Sequence, residues 1–265
     1  MYEPSTAISF KGEYMEAADC KVLFVGESAY KISVHFKGFA SYETGYLGDN
    51  LDPFLLPLAK EGVEVNFMRN HDVSVKFPRM LEELEKYDAV VISDAPSDSF
   101  LLHPQTLTGV RMPNRMQLIN KYVRNGGGFA MIGGWMSFAG FHAKAKYYST
   151  PLTEILPIRL CTHDDRMEMP EGVTPGVVNE NHPVLAGIPE EWPFFLGYNK
   201  TYAERGMTLM TINNDPFLVV DQVEKGRVAV FTSDVLPHWG SMEFVEWPWY
   251  GKFWAQLFRW VAGRN

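Results

Sequence analysis

Four short, unbroken apolar runs mark the first half of the chain, and helical periodicity or glycine fills the intervals between them. "KVLFVG", residues 21–26, reads as a buried strand closed by Gly26. "LDPFLLPLAKEG", 51–62, predicts a helix that stops at Gly62. Pro53 suits its first turn, and Pro57 predicts a kink or a late start. "VEVNFM", 63–68, and "DAVVISD", 88–94, are the second and third strands, with a short helix expected over 77–87 between them. "NRMQLINKYVRNGG", 114–127, is an amphipathic helix with Met116, Leu118, Ile119 and Val123 inward and a glycine stop. "GFAMIGG" is the fourth strand.

Continuous apolar strands alternating with helices predict a parallel sheet covered on both faces. Ligands of such sheets bind beyond the carboxyl ends of the strands. Gly26-Glu27-Ser28, Asp94 and Gly133-Gly134-Trp135 all fall there, so the topology predicts that they converge.

After residue 150 the pattern changes to a stretch rich in Pro, Glu and Asn with short extended pieces. "MTLMTINNDPFLVVDQVEKGRVAVFTSD", 207–234, predicts three short strands, antiparallel and extending the main sheet, with "EKG" at 224–226 as a turn. "YGKFWAQLFRWVAGRN" is a closing helix with Phe253, Leu257, Trp260 and Val261 on one face. Residues 6–14, "TAISFKGEY", have strand-like composition and are expected to pair at a sheet edge or on a neighbouring subunit. With no internal repeat or linker, one domain over 1–265 is expected, preceded within it by an extension over 1–19.

Composition narrows the partners. The formal net charge of -8 disfavours nucleic acid and anionic membranes. Cys20 and Cys161 have no CxxC partner, so neither a disulfide framework nor a zinc site is indicated, and no other metal or cofactor motif occurs. No apolar stretch has the length of a membrane helix, and the start lacks a signal-peptide pattern, so a cytoplasmic protein is expected. Aromatic residues crowd the segment 192–260, which suits core, an apolar pocket or a subunit interface; a homo-oligomer is expected.

The candidate chemistry centres on "NGGGFAMIGGWMSFAG", 125–140. Gly133 and Gly134 after an apolar strand predict a strained strand-to-helix turn at Trp135. Ser137 is either a displaced nucleophile, with His238 as its base, or the cap of the following helix. Glu43, Thr44 and Gly45 are expected in a loop after the first strand, facing the strand ends or solvent. Asp94 ends a strand, where it caps, binds ligand or acts as an acid. His238 follows an apolar strand in "SDVLPHWG" and serves either as a base or ligand donor or as a packed hydrogen-bonding group. Asp234 is placed to orient it, and Trp239 lines a pocket or packs in the core. The successive residues of "CTHDD", 161–165, point to alternating faces in an extended segment, so they do not form a triad. Asp164 and Asp165 alone are a thin basis for a hard-cation site, and His182 before Pro183 reads as structural.

The stretches "ETGYLGDNLDPF", "FPRMLEELEKYDAVVISD", "PNRMQLINKYVRNGGGFAMIGGWMSFAG", "HPVLAGIPEEWPFFLGYN" and "SDVLPHWGSMEFVEWPWYGKFWAQLFRWVAG" resemble the putative glutamine amidotransferase branch of the class I glutamine amidotransferase-like superfamily, which is related to the ThuA-like proteins. The resemblance covers residues 43–263. It implies a flavodoxin-like three-layer α/β sandwich, with a mostly parallel sheet and antiparallel C-terminal strands. Active class I amidotransferases place a Cys at the turn where this chain has Trp135, and a His-x-Glu downstream where it has His238 and, five residues on, Glu243. The resemblance therefore implies a degenerate glutaminase site. The leading expectation is a small polar or carbohydrate-like ligand at the strand ends, bound by Glu43, Gly133, Gly134, Trp135, Asp234 and Trp239. The alternatives are a hydrolase or isomerase using His238 with Asp94, Asp234 or Glu43, and a structural module whose aromatic C-terminal region makes an oligomer.

Overall fold

The computed structural model describes residues 18–264; the strand expected at 6–14 lies outside them. The strands are β1 (Cys20–Gly26), β2 (Ala29–Lys37), β3 (Ala40–Gly48), β4 (Val63–Met68), β5 (Ala89–Ser93), β6 (Gly128–Ile132) and β7 (Ile158–Leu160). They continue as β8 (Arg166–Val173), β9 (Gly176–Val177), β10 (Phe195–Asn199), β11 (Thr201–Ala203), β12 (Met207–Ile212), β13 (Asp215–Val223) and β14 (Gly226–Phe231). The helices are α1 (Asp52–Lys60), α2 (Asn70–Lys76), α3 (Leu81–Leu84), α4 (Ser97–Leu101), α5 (Pro104–Leu107), α6 (Arg115–Arg124), α7 (Met242–Val245) and α8 (Tyr250–Val261).

One eight-stranded sheet, ordered β4-β1-β5-β6-β14-β13-β12-β9, organises the molecule. Its first five strands are parallel and its last three antiparallel. The central strands are apolar on both sides because each side meets its own core. Val22 and Phe24 of β1, Val91 of β5 and Ile132 of β6 join one apolar cluster with Phe54, Trp254 and Phe258 of α1 and α8. Their sequence neighbours Leu23, Val90 and Met131 join a second cluster with Val73 of α2 and Met116 and Ile119 of α6. Period-two alternation therefore distributes an unbroken apolar run over two helical layers. This is the flavodoxin-like α/β sandwich.

The C-terminal strands β12, β13 and β14 are antiparallel to one another, as expected, and β14 in addition runs parallel to β6, from Arg227 opposite Gly128 to Phe231 opposite Ile132. The turn at Glu224, with φ 54°, reverses the chain after β13, so β14 returns in the direction of the central strands. Several expectations need correction. The helix expected over 77–87 shrinks to α3, because Phe77 closes α2 and the Glu83 carboxylate accepts from the Arg79 and Met80 amides at the start of α3. Pro57 lies inside α1, which begins at Asp52.

The largest departure is the segment 29–48. The expected loop is a two-stranded ribbon, β2 with β3, pairing from Ala29 opposite Gly48 to Lys37 opposite Ala40. The aromatic C-terminal region, offered as an oligomer surface, instead buries Phe244, Tyr250, Phe253, Trp254 and Phe258 in the core. Among the described residues no helix is long and apolar enough to cross a membrane.

Candidate functional site

The ends of β1, β5, β6 and β14 bring together the strand-end residues that the topology predicts. Gly134 has φ +132°, and a Cβ on it would fall 2.8 Å from both Asp94 Oδ1 and Asp234 Oδ1. A Cβ on Gly133 would meet the Thr232 carbonyl at 2.4 Å. These glycines are required because two carboxylates and a neighbouring backbone close on the turn. Glu27 and Asp94, each one residue past its strand, hold left-handed φ values of 48° and 45°. Such conformations cost of order 1–3 kcal/mol each and collect at functional sites.

Three carboxyl groups therefore share one low-dielectric corner. Glu27 accepts a 2.5 Å hydrogen bond from Ser93 Oγ. Burial, then the charges of Asp94 and Asp234, push its pKa well above the usual carboxyl range. Asp94 Oδ1 accepts from the Met136 amide at 2.6 Å. Burial, then Asp234, raises its pKa to about 6, although the Met136 amide and His238 pull the other way. Asp234 Oδ2 lies 3.1 Å from His238 Nδ1 and accepts from the Trp239 amide at 3.1 Å. The bond to Asp234 raises the His238 pKa against the effect of burial. The corner combines a Glu27 carboxyl pushed towards its neutral form, an Asp94 whose pKa is raised to about 6 and an imidazole whose pKa is raised by its carboxylate partner.

An aromatic rim stands over this corner. Trp135 is 39% exposed. Its ring lies parallel to Phe141, with centroids 5.3 Å apart, and meets the His238 ring at 86° and 4.9 Å. The Arg166 guanidinium covers both rings, 4.7 Å from Trp135 and 4.3 Å from Phe141. Asp164 holds that guanidinium through Nε at 2.9 Å and Nη2 at 3.0 Å, which lowers the Asp164 pKa to about 2. Asp165 points elsewhere: buried, it accepts from the Ala139 and Gly140 amides and from Asn199 Nδ2, each at 2.9 Å. The adjacent pair is thus not a cation site, since one carboxylate fixes Arg166 and the other ties down the turn after Trp135. Among the described residues no group of three or more His, Cys, Asp or Glu is arranged to hold a metal ion.

Other candidates are placed differently from the expectation. Trp135 occupies a turn, but no α-helix follows it, and the positive φ falls on Gly134. Ser137 caps no α-helix. It is fully buried, donates to the Ile132 carbonyl at 2.6 Å and accepts from the Asp94 amide at 3.0 Å. Trp239 is also fully buried, with Nε1 donating to Glu168 Oε2 at 2.9 Å, so it supports the His238 loop and presents no face to a ligand. Glu43 sits in β3 opposite Val34, five residues from the ribbon's base at Gly48, about 17 Å at strand rise. It does not belong to the carboxyl corner. Arg166, Phe141 and Asn199 were missed; they lie far from Trp135 in sequence or lack a distinguishing pattern. His182 Nδ1 accepts from the Val184 amide. It also lines a cleft of about 640 Å³ with Glu180, Glu190 and Trp192, which shares no lining residue with the strand-end site.

The family described as "putative glutamine amidotransferase" matches residues 21–263. The chain belongs to that family. Two solved cytoplasmic proteins of Salmonella typhimurium, one of them from strain LT2, are 41% and 40% identical to it. Each match covers 91% of this chain, and 98% and 99% of those chains, with a TM-score of 0.87 in both cases. A ThuA-like protein of Bacteroides uniformis, 15% identical, matches with a TM-score of 0.53 over 96% of this chain and 95% of that one, a likeness of fold. No curated protein matches the chain.

Proposed function

We propose that this family member has a degenerate glutaminase site and binds a small polar, carbohydrate-like ligand over Trp135. The carrying observation is the exposed Trp135 ring, backed by Arg166 and flanked by His238, above Glu27, Asp94 and Asp234. An aromatic face packs against the C–H face of a sugar, while carboxyl and imidazole groups at its edge match hydroxyls.

Thiol glutaminase chemistry lacks its parts. The turn carries an indole, and burial raises both thiols, Cys20 to about 12 and Cys161 above its ordinary value, so neither favours the thiolate. The amides that would hold an oxyanion are also engaged. Gly134 donates to Asn199 Oδ1 at 2.9 Å, and Met136 donates to Asp94. A second reading rests on the His238–Asp234 contact beside Asp94: the same corner moves a proton on the bound ligand, as in a hydrolase or isomerase. Both Salmonella relatives are cytoplasmic proteins, which supports a cytoplasmic location.

The test is calorimetric titration with neutral hexoses, disaccharides and uronic acids, alongside ammonia release from glutamine. At least one sugar class should bind, and Trp135→Ala should weaken it about tenfold, near 1.4 kcal/mol. Glutamine should give no ammonia. Failure of every sugar to bind, or an affinity unchanged by Trp135→Ala, would refute the ligand reading. Turnover of glutamine abolished by thiol alkylation would refute the degenerate site.

A further inference from the structure

The ribbon β2–β3 is exposed from Ala29 to Tyr46, including its aromatic residues, and only Leu47 and Gly48 at its base are half-buried. Pairing sorts its side chains into two unlike faces. Tyr30, Ile32, Val34 and Phe36 alternate along one face, and Ile32 and Phe36 are 63% and 79% exposed. Lys31, His35 and Lys37 share the other face with Tyr42 and Tyr46, where His35 stacks on Tyr42 at 4.8 Å. Isolated two-stranded ribbons are marginal in water, and an exposed apolar strand face marks an interaction surface.

The ribbon is firmly rooted. At its entry, Ser28 Oγ accepts from the Asn70 amide at 2.8 Å, and Asn70 Nδ2 donates to the carbonyls of Ser28 and Asp94. At its exit, Asp49 pairs with Arg69 at 2.6 Å. The arm therefore projects in a defined direction from the rim of the strand-end site.

The geometry points to an arm that docks on a second copy of this chain. Three observations select that occupant. First, the apolar face of the arm, Tyr30, Ile32, Val34 and Phe36, presents on the order of 500 Å² at 150–250 Å² per aromatic, and reciprocal exchange adds a receiving surface on each copy, against about 800 Å² per partner in a standard interface. Secondly, the arm carries Lys31 and Lys37 against Glu43, a net positive charge, whereas the whole chain has a formal net charge of -8. The net negative charge of a second copy therefore attracts the arm, whose lysines lie on the face opposite the apolar contact. Thirdly, the body carries apolar residues in search of cover: Val75, Met80, Leu102, Leu107 and Val110 are all exposed between α2 and the segment just past α5. Reciprocal exchange, each copy giving one arm and receiving one, closes as a two-fold dimer.

Sedimentation or light scattering of the full chain tests this. The wild type should have at least twice the mass of one chain. The double substitution Ile32→Asp and Phe36→Asp should halve the mass and leave a monomer that still unfolds in one cooperative thermal transition, with a midpoint lowered by the loss of association, and Leu107→Asp should do the same from the receiving side. A monomeric wild type, or an arm variant that keeps the wild-type mass, would overturn the proposal. A Leu107→Asp protein that stays dimeric while the arm variant dissociates would overturn the assigned receiving surface.

Discussion

Trp254 and Trp135 are the same residue in opposite circumstances. Trp254 of α8 is fully buried, with Phe54, Phe231, Tyr250 and Phe258 around it at centroid distances of 5.0–6.2 Å. Trp135 stands at the strand ends, 39% exposed, above left-handed backbone and crowded carboxyl groups. Under α8, ring packing favours the folded state. At the strand ends, strain and desolvated charge oppose it, and the fold tolerates them there because the packed layer supplies a surplus. Regions that cost stability are where function is most often located.

Substitutions can break that contrast. Trp254→Ala should cost about 3–5 kcal/mol in denaturant unfolding, since it removes a large ring from a dense core. A loss below about 1 kcal/mol would erase the distinction. Asp94→Asn should act with the opposite sign. The folded-state pKa of Asp94 is raised from 3.8 to about 6, so the native state holds its proton more tightly than the unfolded chain does. That stabilisation is complete below about pH 4 and is lost as pH rises through about 6. The amide keeps an oxygen for the Met136 amide and removes the charge, so Asp94→Asn should gain roughly 1–2 kcal/mol at pH 7. The advantage should shrink towards pH 4. A variant less stable than wild type at pH 7 would show that the charge supports the fold. Trp135→Ala, which removes an equally large ring, should change stability by only about 0.5 kcal/mol, as exposed positions do. A loss comparable to that of Trp254→Ala would make the rim part of the core.

The sheet was legible because strands buried on both sides leave continuous apolar runs, as at Val22–Val25 and Ala89–Ile92. Those runs locate the strand ends, which is why Glu27, Asp94 and Trp135 could be expected together. Beyond that the sequence is weaker. The alternation of Tyr30, Ile32, Val34 and Phe36 with Lys31, Ser33 and His35 is a strand signal, yet nothing in an alternating pattern says that neither face meets the body. Arg166 reaches Trp135 only through the long excursion between β6 and β8, and no local pattern encodes such a contact. Adjacent residues also part company: His238 is exposed and Trp239 is buried, because Glu168 receives the indole N–H.

The insertion of β14 between β6 and β13 has a bearing on biosynthesis. β6 ends at Ile132, and the strand that pairs with its far side begins roughly 90 residues later, at Gly226. Asp234 and His238 follow later still. A nascent chain that has passed Trp135 therefore owns Glu27, Asp94 and Trp135 but neither the imidazole nor the third carboxylate. At about 5–20 residues per second, that interval lasts roughly 5–20 seconds. Throughout it, the edge of β6 has no partner from its own sheet, and the strand-end site is complete only when the ribosome has nearly finished this sequence.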